Sequence, residues 1–240
     1  MTILLARRLL GLLATLAVMS ALVFWALDIL PGNAAQIALG PDAAPLRALL
    51  DRFPPAFVDM GHTHYNELAN DGRTAYAATR STAQIEEGPP GFSVAALDAG
   101  AASWRFKPLD APWPLVLLTS PADHRLATPQ AAPQPLIRAR AFHESGIARA
   151  TCRIDDALPI DMHERDGAWS CPWRPDGAPH RITVRAETAS GEAGEDTILA
   201  GPPPAPRDAP RGSDAHAIGA WAERHILGTQ LGPNRNGRKW

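Results

Sequence analysis

Residues 57–67, FVDMGHTHYNE, decide how the rest of this 240-residue chain is interpreted. The apolar start of the run predicts a short buried strand, and Gly61 ends it because glycine permits the backbone angles of a tight exit from a sheet. His62 and His64 follow two residues apart, so in extended backbone both imidazoles point to the same side. Neutral imidazole is the commonest side-chain ligand of catalytic divalent metals. The run therefore predicts a metal-binding loop, although an isolated His-x-His pair is equally compatible with a structural role.

The string GHTHYNE after a hydrophobic strand resembles the last metal-binding motif, Gly-His-x-His, of the calcineurin-like metallophosphoesterases. The resemblance continues through NDGRTAYAATRST, GFSVAALDAGAASWRFKPL and PLVLLTSPADHRL, which look like the closing strands of that family's α/β sandwich. It implies a phosphoester substrate and a dinuclear centre of divalent Mn, Fe or Zn. By this resemblance His62 ligates one metal and His64 ligates the other.

The ligand motifs that the family carries upstream of this one are missing. Residues 1–56 contain no histidine, and the Asp-x-His strings at 161–163 and 214–216 lie far downstream in the wrong context. Two imidazoles without a bridging carboxylate are too few for a two-metal site. The sequence therefore predicts a truncated phosphoesterase domain with no catalytic residues of its own, which a complementing chain would have to complete.

Residues 9–27 form an uncharged apolar run of the length that spans a bilayer. Arg7 and Arg8 precede it, so the positive-inside rule predicts a single-pass anchor in a bacterial inner membrane, with the N-terminus in the cytoplasm and the lipid bilayer as partner. A secretory signal peptide is the rival interpretation. Its apolar core is usually shorter, and residues 31–35 make a poor cleavage site.

The N-terminal segment also resembles the first membrane helix of dipeptide and oligopeptide ABC-transporter permeases, through the string LDILPGNAAQIALGPDA. This resemblance covers about the first 44 residues, and no second apolar run in the sequence is long enough to span. It implies a fusion between the start of a permease and the end of a phosphoesterase. A membrane component of a peptide ABC transporter is therefore an alternative function.

Turn signals and alternating apolar residues divide the rest of the chain into short strands. The Asp-Ala-Gly turn between FSVAAL and ASWRF predicts a β-hairpin. Strands predicted near 136–141, 148–154, 168–173, 180–186 and 196–199, with Asp-Gly turns between them, indicate a small immunoglobulin-like β-sandwich. A membrane-anchored, non-catalytic binding module is accordingly a third function.

The predicted fold is mainly β, with an N-terminal transmembrane helix and a partial metallophosphoesterase α/β sandwich followed by the immunoglobulin-like sandwich. Its segments are a permease-like anchor at 1–44, the phosphoesterase fragment at 45–128, a linker at 129–135, the sandwich at 136–200, and a Pro-rich linker, short helix and basic tail at 201–240. Leucine spacing predicts another short helix near 46–50, and AHAIGAWAERHILG predicts the final helix at 215–228. Because 45–128 lacks the elements that would cover its apolar faces, we expect it to be loosely ordered.

The net charge and the two cysteines concern two further points, the kind of partner and the redox compartment of the chain. The net charge of −2 argues against a nucleic-acid-binding surface, which would need a basic stripe. Cys152 and Cys171 fall on strands predicted to be neighbours. They form either a disulfide, if this part lies outside the cytoplasm, or two buried thiols.

Overall fold

The computed structural model describes residues 8, 11, 15, 18, 19, 44–60, 65–80, 89–131, 135–202 and 216–226. The chain divides into two compact units, residues 1–52 and 53–240. In the first unit, helix α1 (Ala44–Arg52) confirms the short helix that the leucine spacing predicts. The predicted membrane anchor lies outside the described residues except at 11, 15, 18 and 19, which are helical. Among the residues that are described, none belongs to a helix with the length and apolar character needed to cross a membrane.

The regular elements described in the second unit are thirteen strands and one 3-10 turn, which confirms the prediction of a mainly β fold. It begins with a mixed three-stranded sheet made of β1 (Phe57–Met60), β2 (Glu67–Asn70) and β3 (Ala75–Ala78). β3 is central, with β1 parallel to it on one side and β2 antiparallel on the other. β2 and β3 are buried along their whole length, as expected of strands covered on both faces.

The predicted hairpin follows as β4 (Gly91–Asp98) and β5 (Ala101–Pro108). Its two turn residues, Ala99 and Gly100, both have positive φ, +50° and +83°, which matches the right-handed twist of the flanking strands. A Cβ at Gly100 would stand 2.3 Å from the carbonyl oxygen of Gln130. This glycine therefore lets the 128–131 loop pack directly on the hairpin turn.

Two four-stranded antiparallel sheets form a β-sandwich after the hairpin. Its strands, in chain order, are β6 (Leu115–Ser120), β7 (Leu136–Phe142), β8 (Arg149–Ile154), β9 (Ile160–Asp161), β10 (His163–Arg165), β11 (Ala168–Pro172), β12 (His180–Glu187) and β13 (Ala193–Ala200). The order is β10-β11-β7-β6 in one sheet and β13-β12-β8-β9 in the other. The five predicted strands are confirmed as β7, β8, β11, β12 and β13, whereas β9 and β10 are not among the predicted strands.

Alternation of inward and outward side chains along the strands builds the sandwich core. On β12, Ile182 and Val184 point into the core, while Arg181 and Arg185 face solvent. The inward residues of both sheets meet in one buried cluster that includes Ile137 of the opposite sheet. The period-two pattern in the sequence is therefore the direct cause of the two-layer packing.

Strand β6 belongs to the sandwich by its hydrogen bonding, although it precedes the predicted sandwich boundary at residue 136. Leu115 pairs with Phe142 of β7, and Leu118 pairs with Ala139. Val116 and Leu118 lie in the sandwich core, and all six residues of the strand are buried. The strand-pairing unit therefore starts near Leu115 and spans the predicted 129–135 linker.

The C-terminal segment 216–226 covers the first sheet. Ala217 forms a β-bridge with Ala69, and the Ile218 amide donates to the Leu68 carbonyl at 2.8 Å. A 3-10 turn at Ala222–Arg224 follows. The continuous helix expected over 215–228 is thus wrong for the described residues, because pairing with the open edge of β2 satisfies backbone groups that a helix would leave unpaired there.

A second buried cluster joins this segment to the first sheet and the hairpin. Its residues are Leu68, Ala75, Ala77, Ala102, Trp104, Phe106, Leu126, Trp221 and Ile226. The expectation that 45–128 lacks cover for its apolar faces is therefore wrong, since the chain supplies Trp221 and Ile226 from its own C-terminal segment.

The two cysteines are free and buried, and they lie in different sheets. Cys152 is on β8 and Cys171 is on β11, so they meet across the sandwich core. The expectation of neighbouring strands is corrected to an inter-sheet pair.

Candidate functional site

The predicted metal ligands His62 and His64 lie outside the described residues, but the strands on either side of them are described. β1 ends at Met60 and β2 begins at Glu67, and both residues pair with Ala78 at the end of β3. The chain therefore leaves the sheet before the histidines and re-enters it after them at the same end of the strands, where β1 and β3 have their carboxyl ends. This end of the sheet is called its loop edge.

Buried polar side chains collect at this edge. Asn66, Glu67 and Arg80, here called the loop-edge cluster, are only 6%, 3% and 6% exposed. The Asn66 side-chain oxygen accepts a hydrogen bond from the Arg80 amide at 3.0 Å, which ties the end of the histidine loop to the residue after β3. Charged side chains are rarely buried to this degree unless they are paired or serve a site.

Two nitrogen-bearing side chains, Arg80 and His225, lie against the ring of Phe106 beside this cluster. The Arg80 guanidinium lies 5.9 Å from the ring centroid, and the His225 ring lies 5.6 Å from it in an edge-on arrangement. Phe106 pairs across the hairpin with Ser93, whose hydroxyl bonds the Thr79 hydroxyl next to Arg80. These contacts place the aromatic ring, the Arg80 guanidinium and the His225 imidazole at the same edge of the sheet.

The charge state of His225 follows from its neighbours. Burial lowers the pKa of His225 below its ordinary value, and the charges of Arg105 and Arg80 lower it further. The imidazole is therefore neutral at neutral pH. A neutral imidazole beside two guanidiniums can accept a hydrogen bond, while the guanidiniums attract an anion.

Asp196 on β13 supplies the buried counter-charge. Its carboxylate accepts a hydrogen bond from the Leu118 amide at 2.8 Å and pairs with Arg224 at 2.8 Å and with Arg105 at 3.4 Å. Arg105 also donates to the Val116 and Glu195 carbonyls, at 2.6 and 2.8 Å. Asp196 thus holds two of the cations in place from within the sandwich.

From the sequence, only His62 and His64 are predicted for this site, and both lie outside the described residues. Asn66 and Glu67 stand inside the string GHTHYNE, so their closeness to the histidines is a local signal. Arg80, Arg105, Arg224 and His225 come from distant parts of the chain, and only the folded structure brings them together.

In the part of the chain that the structure describes, other side chains of metal-binding type do not gather at a second place. Within the described ranges, no three His, Cys, Asp or Glu side chains lie where they could hold one ion. Asp161 and His163 of the downstream Asp-x-His string are exposed, and Asp161 pairs with Arg149 at 2.7 Å. In the second string, residues 214 and 215 fall outside the described ranges.

The chain matches no family model and no curated protein. Among solved structures it is similar to a Cellulomonas fimi endo-beta-1,4-mannanase double mutant, at 26% identity and a TM-score of 0.28. That similarity covers 37% of this chain and 18% of the mannanase chain. A likeness this low in TM-score carries no argument about fold or function, so the site stands on its own residues.

Proposed function

We propose that this chain is a truncated metal-dependent phosphoesterase, one that binds a divalent metal ion through His62 and His64 and does not turn over substrate by itself. The observation that supports the proposal is the position of the histidine loop at an edge where Glu67 and Arg80 are buried. A carboxylate and a guanidinium are the groups that a metal ion and a phosphoryl oxygen respectively attract.

Each residue would have a distinct part in binding. His62 and His64 would hold the metal, and Glu67 is the buried carboxylate nearest to them in sequence. Arg80, whose guanidinium lies near the Phe106 ring, would attract a phosphoryl group, and neutral His225 beside the same ring would orient it through a hydrogen bond. Bound divalent ions in such a site supply Lewis-acid activation of water for attack on phosphorus. Two imidazoles and one carboxylate leave a dinuclear set incomplete, which is why we expect binding without turnover.

The test separates binding from catalysis. Titration of the purified chain with Mn²⁺ by isothermal calorimetry should show saturable binding that weakens at least about tenfold in His62→Ala and in His64→Ala. His163→Ala, which removes an exposed histidine on β10, is the matched control. If the wild type hydrolyses bis-(p-nitrophenyl) phosphate and both variants do not, the proposed lack of turnover is wrong. If the Mn²⁺ affinity is unchanged in both variants, the proposed metal site is wrong.

A second candidate is a non-catalytic binding module of immunoglobulin-like type displayed outside the cytoplasm. It is favoured by the completeness of the β-sandwich, whose two sheets share a continuous buried core from Val116 to Ala200. Recovery of the chain from the membrane fraction, with the sandwich accessible to protease only from the periplasmic side, is expected from this function. Recovery from the cytosol would contradict it.

A further inference from the structure

A cavity of about 220 Å³ lies at the end of the sandwich, apart from the histidine loop. One wall is the loop after β6, with Ala122, Ala127 and Ala131. The opposite wall is the segment after β11, where Trp173 is half-buried. An engineered apolar cavity of about 150 Å³ holds benzene, so this one has room for a single ring with a small substituent.

Small residues keep this space open. Ala101, Ala122 and Ala127 form a buried cluster of their own, with Ala131 packed against it. A cluster made of alanines alone has no side chain long enough to reach across the cavity. The loop that carries them is also fixed, because it packs against Gly100 at the hairpin turn.

Two wall residues carry hydroxyls that no described residue bonds. Ser120 and Thr128 are 0% and 2% exposed, and neither side-chain oxygen has a hydrogen-bond partner in the described part of the chain. Buried hydroxyls are normally bonded, and an unpaired one costs free energy. Since both belong to the wall of the same cavity, one occupant with a polar atom can satisfy them after a rotation about the side-chain bond.

The chemistry of the wall defines the class of occupant. Among the described residues that form it, none carries a charge, so a charged ligand would find no counter-charge here. Two side-chain hydroxyls are too few for a sugar, which needs a partner for nearly every hydroxyl. Trp173 and the alanines suit an aromatic ring.

We propose that this cavity is a binding site for a single-ring aromatic compound of the phenol class, held between Trp173 and the alanine cluster and hydrogen-bonded by Ser120 and Thr128. The site is independent of the histidine loop and of any metal. Nothing in the proposal depends on phosphoesterase activity.

The experiment compares two probes of the same shape on the full-length chain. Isothermal calorimetry should show that p-cresol binds with one-to-one stoichiometry and that toluene, which lacks the hydroxyl, binds about five- to tenfold more weakly. The double variant Ser120→Ala/Thr128→Val should lower the affinity for p-cresol to that for toluene. Because this variant adds no bulk, we expect it to fold like the wild type. An unchanged circular dichroism spectrum would verify this.

A cavity-filling variant locates the site. Ala127→Leu should abolish binding of both probes, whereas Ala148→Leu, which adds the same side chain at an exposed position, should leave binding intact. Equal p-cresol affinity in the wild type and in Ala127→Leu would overturn the proposal, as would equal affinities of the wild type for the two probes. Absence of p-cresol binding at millimolar concentration, which would mean that water alone fills the cavity, would overturn it as well.

Discussion

His180 is held between two carboxylates on the surface of the sandwich. Its Nδ1 lies 2.8 Å from Asp155 and its Nε2 lies 2.8 Å from Asp176. Hydrogen bonds to Asp155 and then to Asp176 raise the pKa of His180 above its ordinary value of 6.5. The same bonds lower the pKa of both carboxyls. The imidazolium therefore fastens the 173–180 segment to the turn after β8.

This arrangement predicts a pH-dependent stability. A histidine whose pKa is raised on folding contributes stability fully below its unfolded pKa, near 6.5, and loses it as pH rises through the folded pKa. The free energy of unfolding in urea should therefore fall above neutral pH in the wild type, and this fall should be smaller in His180→Gln. His163→Gln, at an exposed site on β10, should keep the wild-type profile. An identical profile in all three proteins would contradict the role of His180.

Asp196 gives the second prediction at the scale of single residues. Its removal in Asp196→Ala leaves Arg105 and Arg224 without their buried counter-charge and the Leu118 amide without an acceptor. We expect a loss of about 3–5 kcal/mol in the free energy of unfolding, measured by urea denaturation. Glu195→Gln, one residue away on the exposed side of the strand, should change it by less than about 0.5 kcal/mol.

The residues of the candidate site differ in how visible they are in the sequence. His62 and His64 are picked out by spacing, because two imidazoles in one short string form a local pattern. Nothing local marks Asp196, since its partners come from residues 105, 118 and 224. Which charged residues pair over long distances in sequence depends on the order of the strands in the sheets, and that order cannot be derived from a single sequence.

At the scale of elements, the predictions succeed where contacts are local. The β4–β5 hairpin is specified by its own turn and alternation, and the structure confirms it. The C-terminal segment has a helical pattern of Ile218, Trp221 and Ile226, yet it pairs with β2. The open edge of β2, which lies about 150 residues away in sequence, offers backbone groups for this pairing that a local pattern does not reveal.

The C-terminal segment is expected to stabilise the second buried cluster, which it forms with the first sheet and the hairpin. Trp221 is buried in the cluster around Trp104 and Phe106, and the Arg125 guanidinium stacks on it at 3.3 Å. Trp221→Ala should lower the free energy of unfolding by about 3–5 kcal/mol. Glu223→Ala, an exposed position in the same turn, is the control and should have little effect. Equal stability of both variants would mean that the segment does not close this core.

The cysteine pair links the two sheets at the scale of elements. A hydrogen bond with the Cys171 thiol, together with burial, raises the pKa of the Cys152 thiol above its ordinary value. The same hydrogen bond lowers the pKa of the Cys171 thiol. Both sulfurs are buried, so an oxidant reaches them slowly once the chain is folded. Refolding with oxidised glutathione, which takes up the two thiol hydrogens, should form the Cys152–Cys171 disulfide with a mass loss of about 2 Da and a gain of about 3 kcal/mol in the free energy of unfolding.

A matched variant tests this disulfide. Cys171→Ala, refolded in the same way, should show neither the mass change nor the gain in stability. Free thiols that stay titratable in the denatured wild-type protein after this treatment would show that the two sulfurs do not meet across the core.

At the scale of the whole molecule, strand β6 is where the two cores of the second unit meet. Val116 and Leu118 point into the sandwich core, and the strand is also buried on its other face. Arg105 of the hairpin donates to the Val116 carbonyl at 2.6 Å, so the hairpin lies directly against it. A domain boundary placed at the proline-rich linker separates β6 from its sheet. Prolines interrupt regular secondary structure, but the strands before and after them still pair by hydrogen bonds.

This placement predicts which fragment folds by itself. A fragment of residues 114–201 keeps β6, whereas residues 133–201 lack the edge strand that covers β7 and supplies Val116 and Leu118 to the core. The short fragment also leaves Asp196 without the Leu118 amide. We expect cooperative urea unfolding and dispersed amide NMR signals for 114–201, and a loosely packed state without a cooperative transition for 133–201, since an uncovered strand edge and a half-empty core cannot offset the conformational entropy of folding. A cooperative transition of equal midpoint in both fragments would show that β6 is dispensable and that the sandwich begins at the linker.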